Sequence, residues 1–168
     1  MEPIPASHSH VISAAQGWLE LGATDEALRE LASLPKKWAR HPVVLELQWT
    51  IHAKQKRWQE CVTLAQELID ALPEHESGWI HRSYALHELR RTQEALDQLQ
   101  PVGRRFTKST TIPYNLACYH AQLGTLEAAR EWLNIAFSRT EDAKALKLQA
   151  LNDPDLKPLH AEIREGGR

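Results

Sequence analysis

The sequence predicts an all-α protein built as a repeat array, with four helix–turn–helix pairs followed by a C-terminal helical cap. Three observations predict it. The chain is self-similar at a period of 34 residues: Leu21-Gly22 recurs as Leu123-Gly124 three periods later, and Glu26-Ala27-Leu28 as Glu94-Ala95-Leu96 two periods later. Position 20 of every unit is small, holding Ala27, Cys61, Ala95 and Ala129. Positions 24 and 27 extend that column as an apolar stripe, Leu31, Ala65, Leu99 and Leu133, then Leu34, Leu68, Val102 and Ala136, which is the spacing of one helix face.

Cutting at the period gives units 8–41, 42–75, 76–109 and 110–143 with no gap, and a cap at 144–165. The whole of 1–168 is assigned to a single domain. Helix A of each unit covers about positions 2–14 and helix B about positions 18–30. The small residue at position 20 lets a neighbouring helix approach closely. Position 8 repeats the device with Ala15, Ser83 and Ala117, while the second unit carries Trp49 there.

Local signals support each element in turn. Thr24, Thr92 and Thr125 each precede an acid in a first turn, which predicts hydroxyl N-caps for the first, third and fourth B helices. Pro42 and Pro113 suit the first turn of an A helix. Pro73 falls between units, where it interrupts nothing. Pro35 and Pro101 fall late in B helices, which should end early or kink. After the fourth unit, Thr140-Glu141-Asp142 starts a helix running to about Ala150. Residues Asn152 to Asp155 form a turn, and Pro158 opens a last helix to about Arg164. Leu146, Leu148, Leu151, Leu156 and Leu159 supply the apolar face that a terminal repeat needs as its cover. Residues 1–7 and 165–168 are expected to fray.

Composition narrows the function classes. Of 168 residues, 42% are hydrophobic and 25% charged, as in ordinary globular chains. Lys and Arg total 20 against 22 Asp and Glu, so the near-neutral balance argues against a nucleic-acid binder and against an acidic disordered tail. Two cysteines are too few for a disulfide framework. The first twenty residues lack a basic region and a long apolar run, so no secretory signal is read, and no stretch has the length of a membrane span. A cytoplasmic protein with no membrane contact is expected.

With these columns in place the chain resembles the tetratricopeptide repeat, a 34-residue helix–turn–helix unit. The fourth unit carries the resemblance best, through Tyr114-Asn115-Leu116-Ala117, Leu123-Gly124, Ala129, Leu133 and Ala136. The third supplies Trp79, Ser83, Ala95 and Leu99, and the first Ala15, Trp18, Leu21-Gly22, Ala27 and Leu31. In the second, Trp58, Cys61 and Pro73 hold the register. The segment from Ala150 to Leu156 is similar to the ending of many bacterial tetratricopeptide proteins.

The resemblance implies a right-handed α-solenoid, a superhelix whose A helices line a concave groove, and protein binding as its work: adaptors, scaffolds and chaperone-like modules. It implies that positions 2, 5, 6, 9, 12 and 13 of helix A face the groove. Those positions include Gln16 in the first unit and Val43, Glu46, Leu47 and Thr50 in the second. The third and fourth units concentrate Ile80, His81, Tyr84, His87, Tyr114, Asn115 and Cys118, the candidate partner-binding set. Tyrosine offers large contact area at small entropic cost, and asparagine can pair with a peptide backbone. Packing of Tyr84 and Tyr114 between adjacent A helices is the competing reading. The cations that a carboxylate-clamp repeat domain needs are missing in either register: Ile12, Gln16, Leu47, Ser77 and His81 stand there, or Glu46, Thr50, His81, Thr111 and Asn115.

No chemistry-bearing set emerges. His81 and His87 are six apart, off the three-or-four spacing of one helix face, so no metal and no cofactor is expected. Cys118 and His120 are two apart and diverge on a helix, without an oxyanion motif, so no catalytic residue is assigned. Trp18, Trp58 and Trp79 are expected to pack, and Trp38 and Trp132 are undetermined. Arg82, in a core column, must find a carboxylate or reach solvent. The expectation is a non-enzymatic interaction module for a protein or peptide of unknown identity. The alternative is a structural repeat protein that self-associates as a homo-oligomer.

Overall fold

A computed structural model of the chain describes residues 3–165. Among these residues there are ten α-helices and no strand. They are α1 Ala6–Glu20, α2 Thr24–Ala32, α3 Pro42–Lys54, α4 Trp58–Ala71, α5 Glu76–Glu88, α6 Thr92–Leu99, α7 Thr111–Gln122, α8 Leu126–Arg139, α9 Ala143–Asn152 and α10 His160–Glu165. Three short 3-10 segments, Lys36–Trp38, Gln100–Val102 and Pro154–Leu159, join some of them. None of the helices is long and apolar enough to cross a membrane. Of the termini expected to fray, α1 already includes Ala6 and α10 ends at Glu165, while 1–2 and 166–168 lie outside the described residues.

The repeat is visible in the backbone itself. The A helices α1, α3, α5 and α7 end at Glu20, Lys54, Glu88 and Gln122, and the B helices begin at Thr24, Trp58, Thr92 and Leu126, each set spaced by one period. Between them, position 15 is left-handed in all four units, at Gly22, Lys56, Arg90 and Gly124. The residue after it donates its N–H back five residues, Ala23 to Trp18, Arg57 to His52, Arg91 to Leu86 and Thr125 to His120, which closes each A helix as a Schellman turn. Glycine takes that conformation freely, whereas Lys56 and Arg90 hold it against Cβ strain.

This turn chemistry corrects the expected hydroxyl caps. Ala23, Arg57 and Arg91 occupy the N-cap positions of α2, α4 and α6, so Thr24 and Thr92 are already helical, and the Thr125 side chain makes no cap bond. Their hydroxyls serve elsewhere, Thr92 with His87 Nδ1 at 2.9 Å and Thr125 with His120 Nδ1 at 2.8 Å. The recurring side-chain caps are at position 34. His41 Nδ1 accepts from Val43 N–H, His75 Nδ1 from Ser77 N–H, and Ser109 Oγ from Ile112 N–H. The prolines act as expected: α2 ends at Ala32 before Pro35, α6 ends at Leu99 before Pro101, and Pro42 opens α3. Pro158 lies inside the last 3-10 segment, and the final helix starts two residues later, at His160.

The chain divides into two compact units, Met1–Ala85 and Leu86–Arg168. In the first, Val11, Ala15, Ala27, Leu31, Trp38, Val44 and Ile51 pack into one core, which settles Trp38 as a core residue. Gly78 brings α5 onto α4, since a Cβ there would lie 2.9 Å from the Ile69 backbone nitrogen. Arg82 is half-buried; its guanidinium donates to the Gln66 amide oxygen and lies over Trp79, 5.2 Å from the ring centre. In the second unit, Ala95, Leu99, Leu116, Ala129 and Leu133 are buried, and Leu156 and Leu159 of the C-terminal segment join that buried set. Trp132 is half-buried against Gly103. Trp18 departs from the packing expectation: an indole is seldom buried whole, and this one stays 40% exposed.

Candidate functional site

The seven candidate residues divide between the two units. Ile80, His81 and Tyr84 stand on the part of α5 that belongs to the first. His81 lies flat on Trp49, with ring centroids 3.9 Å apart and planes 11° apart. Its Nε2 is 3.9 Å from Glu46 Oε2, an electrostatic contact rather than a hydrogen bond. Tyr84 meets Trp49 and Trp58 edge-on, at 6.3 and 5.8 Å between ring centres, and remains 39% exposed. Ile80 is half-buried.

Trp49 therefore organises this corner. It occupies position 8, where the other units carry Ala15, Ser83 and Ala117, and its bulk supplies the plate on which His81 rests. The column of small residues marks Trp49 as its exception, but the pattern alone draws no site from it. The signal was the one large residue in that column.

Beside it runs a shallow groove of about 440 Å³, lined by Gln16, Pro42, Val43, Glu46, Leu47, Thr50, Leu72 and His75. Five of these, Gln16, Val43, Glu46, Leu47 and Thr50, are the positions that the repeat resemblance assigns to the binding face. Val43 is 47% exposed there. The Glu46 carboxyl is held below the usual carboxylate range, chiefly by His81, with Ser77 and His75 adding to the effect against the opposing cost of burial. It is an anion at neutral pH.

His87, Tyr114 and Cys118, all in the second unit, have a different fate. Each faces the chain's own C-terminal segment. Tyr114 Oη donates to Asp153 Oδ2 at 2.9 Å, and Cys118 Sγ to the same oxygen at 3.7 Å. His87 Nε2 is 2.9 Å from Asp155 Oδ2, and Gln122 Nε2 donates to the Asp155 carbonyl at 3.0 Å. The segment thus lies along positions 5, 9 and 13 of α7. Tyr114 is left only 6% exposed, and Asn115 is half-buried. Burial pushes the Tyr114 hydroxyl and the Cys118 thiol upward, with Asp153 adding to both, so neither group is an anion at neutral pH.

Among the described residues, no group of three or more His, Cys, Asp or Glu side chains is placed to hold a metal ion. Cys61 and Cys118 are free and buried, and burial lifts the Cys61 thiol to about 12.

No protein-family model matches the sequence, and no curated protein matches it. Solved structures do. A point mutant of MamA is 16% identical over 82% of this chain and 81% of its own, with a TM-score of 0.62. MamA MSR-1 C2 is 16% identical over 81% and 80%, with a TM-score of 0.65. YrrB, described as a TPR protein with an unusual peptide-binding site, is 15% identical over 94% and 90%, with a TM-score of 0.61. The in-register helix pairs and these likenesses together identify the fold of the chain as that of the tetratricopeptide repeat.

Proposed function

We propose that the chain is a non-enzymatic interaction module, of adaptor, scaffold or chaperone-like type, that holds a polypeptide segment against the A-helix face of its first unit. The observation that carries this reading is the groove floored by Val43, Glu46, Leu47 and Thr50, with the exposed Tyr84 packed on Trp49, the residue that carries His81 next to Glu46. Alternating apolar and hydrogen-bonding groups in a shallow trough suit an extended or helical segment better than a small substrate. The peptide-binding description of YrrB, a protein of the same fold, supports the same class of partner.

Of the seven candidate residues, Ile80, His81 and Tyr84 are the ones this reading uses. His87, Tyr114 and Cys118 are engaged by Asp153 and Asp155, which assigns them the task of seating the C-terminal segment. Free, buried thiols suit a reducing compartment, so we place the protein in the cytoplasm.

The test starts from partners captured from native lysate and measures their affinity for folded variants. Tyr84→Ala should weaken binding by about tenfold or more, because exposed aromatics that become buried often dominate an interface. Glu20→Ala should change it little. Unchanged affinity for Tyr84→Ala, with loss of binding for changes at Leu148 on α9, would move the interaction away from this groove.

A further inference from the structure

Among the described residues, no lysine or arginine lines the groove beside Glu46, whose polar neighbours are His81, Ser77 and His75. Glu46 is the one formally charged side chain among the described residues that line it. The lysine on the same helix face, Lys54, is committed elsewhere, with its Nζ donating to the Leu19 carbonyl at 3.1 Å. The Glu46 side chain is 41% exposed, and the aliphatic side chain of Val43 stands in the same trough. An apolar segment laid there would strip water from an anion without replacing it, and an acidic one would add repulsion. A segment bearing a cation has neither cost.

We propose that the segment held in this groove is basic, with a lysine or arginine of the partner setting its cation against Glu46 and its methylene stem along Val43 and Leu47. Long basic side chains divide in this way, stem on apolar surface and head on an anion. The neighbouring surface fits the same occupant, since Tyr84, 39% exposed, packs on the Trp49 that bears His81, and aromatic faces attract cations. His81 belongs to the arrangement as a positioning residue. Stacked on Trp49, it stands 3.9 Å from one oxygen of the Glu46 carboxylate, whose side chain is still 41% exposed to a partner.

This inference rests on the groove reading above and deepens it, so the experiment separates the two. The probes are pools of short synthetic peptides, identical in their mixed positions and differing only in one central residue, fixed as Lys, Arg, Glu or Leu. Affinities are read by fluorescence polarisation with the full chain and with Glu46→Gln, Val43→Asp and Tyr84→Ala, each first shown to melt as the parent does. The Lys and Arg pools should bind about three- to tenfold more tightly than the Leu pool, and Glu46→Gln should remove that preference. Raising salt should weaken the preference, because the pair is half-exposed.

If the Glu or Leu pools bind as well as the basic ones, or Glu46→Gln keeps the preference, the basic-segment proposal is overturned. The groove reading still stands if Val43→Asp and Tyr84→Ala then abolish binding. If no pool binds, or if binding ignores both of those variants, the groove reading fails with it. A mass of twice the monomer in light scattering, lost in Glu46→Gln, would identify the occupant as a second copy of this chain and would overturn the separate-partner form of the proposal.

Discussion

Tyr114 and Asp153 are joined by a hydrogen bond of 2.9 Å across 39 residues of sequence. Asp153 is shared: its other oxygen accepts the Asp155 N–H and so shapes the turn that sets Leu156 into the core. Tyr114→Phe should therefore destabilise the protein by about 1–2 kcal/mol, the cost of leaving a half-buried carboxylate short of a donor. Leu156→Ala should cost more, about 2–5 kcal/mol, since it opens a cavity at a fully buried site. Urea denaturation of the two variants checks the order. A neutral Leu156→Ala would show that the C-terminal segment is not part of the folded unit.

The four left-handed turn residues make a second prediction. Lys56→Gly and Arg90→Gly should each stabilise by up to about 1 kcal/mol, because they remove a Cβ from a conformation that disfavours it. Gly22→Ala and Gly124→Ala should destabilise by about 1–2 kcal/mol. Gly22 has open space around it, so any loss there is backbone strain alone. Melting temperatures of the four variants decide it, and a stabilised Gly22→Ala would contradict the turn assignment.

These turns also mark how far the sequence was legible. The 34-residue period carried the A-helix ends and B-helix starts to within a residue, because every unit repeats the same closure at the same place. By contrast, α2 and α6 stop five and six residues short of the period's B-helix end, ahead of Pro35 and Pro101. The period misplaced two of the three caps, Thr24 and Thr92, since a threonine before an acid looks alike whether it stands just before a helix or in its first turn. Thr125 does stand at the N-cap of α8, without a side-chain cap bond. The part played by Asp153 and Asp155 was invisible for another reason. A contact such as Tyr114 to Asp153 joins a repeat to a segment outside the period, and no column records it. Trp49 stood out in its column, yet its stacking on His81 depends on how α3 meets α5, and one-dimensional spacing does not carry that geometry.

Acid should weaken the fold, with a worked sign. Burial pushes His52 and His120 below the ordinary 6.5, so the unfolded chain takes up these protons at higher pH than the native one. Their contribution is complete above pH 6.5 and is lost as pH falls through the depressed native values. Glu46 acts in the same direction lower down: its pKa is held below 4.5, so its contribution is complete above that value and disappears below it. Urea midpoints across the acid range should fall, and His120→Gln should flatten the upper part of the fall relative to the parent. A difference between parent and variant that does not change with pH would contradict the assignment.

The thiols give a further prediction. With Cys61 lifted to about 12 and Cys118 also raised, neither is a thiolate near neutral pH. A disulfide-exchange reagent should label the native protein slowly and the urea-unfolded protein promptly at both sites. Absence of free thiol in the unfolded, unreduced monomer would mean that the two are bonded, against their state as free, buried cysteines.

The central claim is that a polypeptide occupies the A-helix face of the first unit. Its most direct test is photo-crosslinking in living cells, with a photoreactive amino acid placed in turn at Val43, Tyr84 and, as the control, at Leu148, which is 63% exposed on α9. The account predicts that Val43 and Tyr84 yield the same discrete adduct and that Leu148 yields none. Adducts from Leu148 alone, with Val43 and Tyr84 silent, would contradict it.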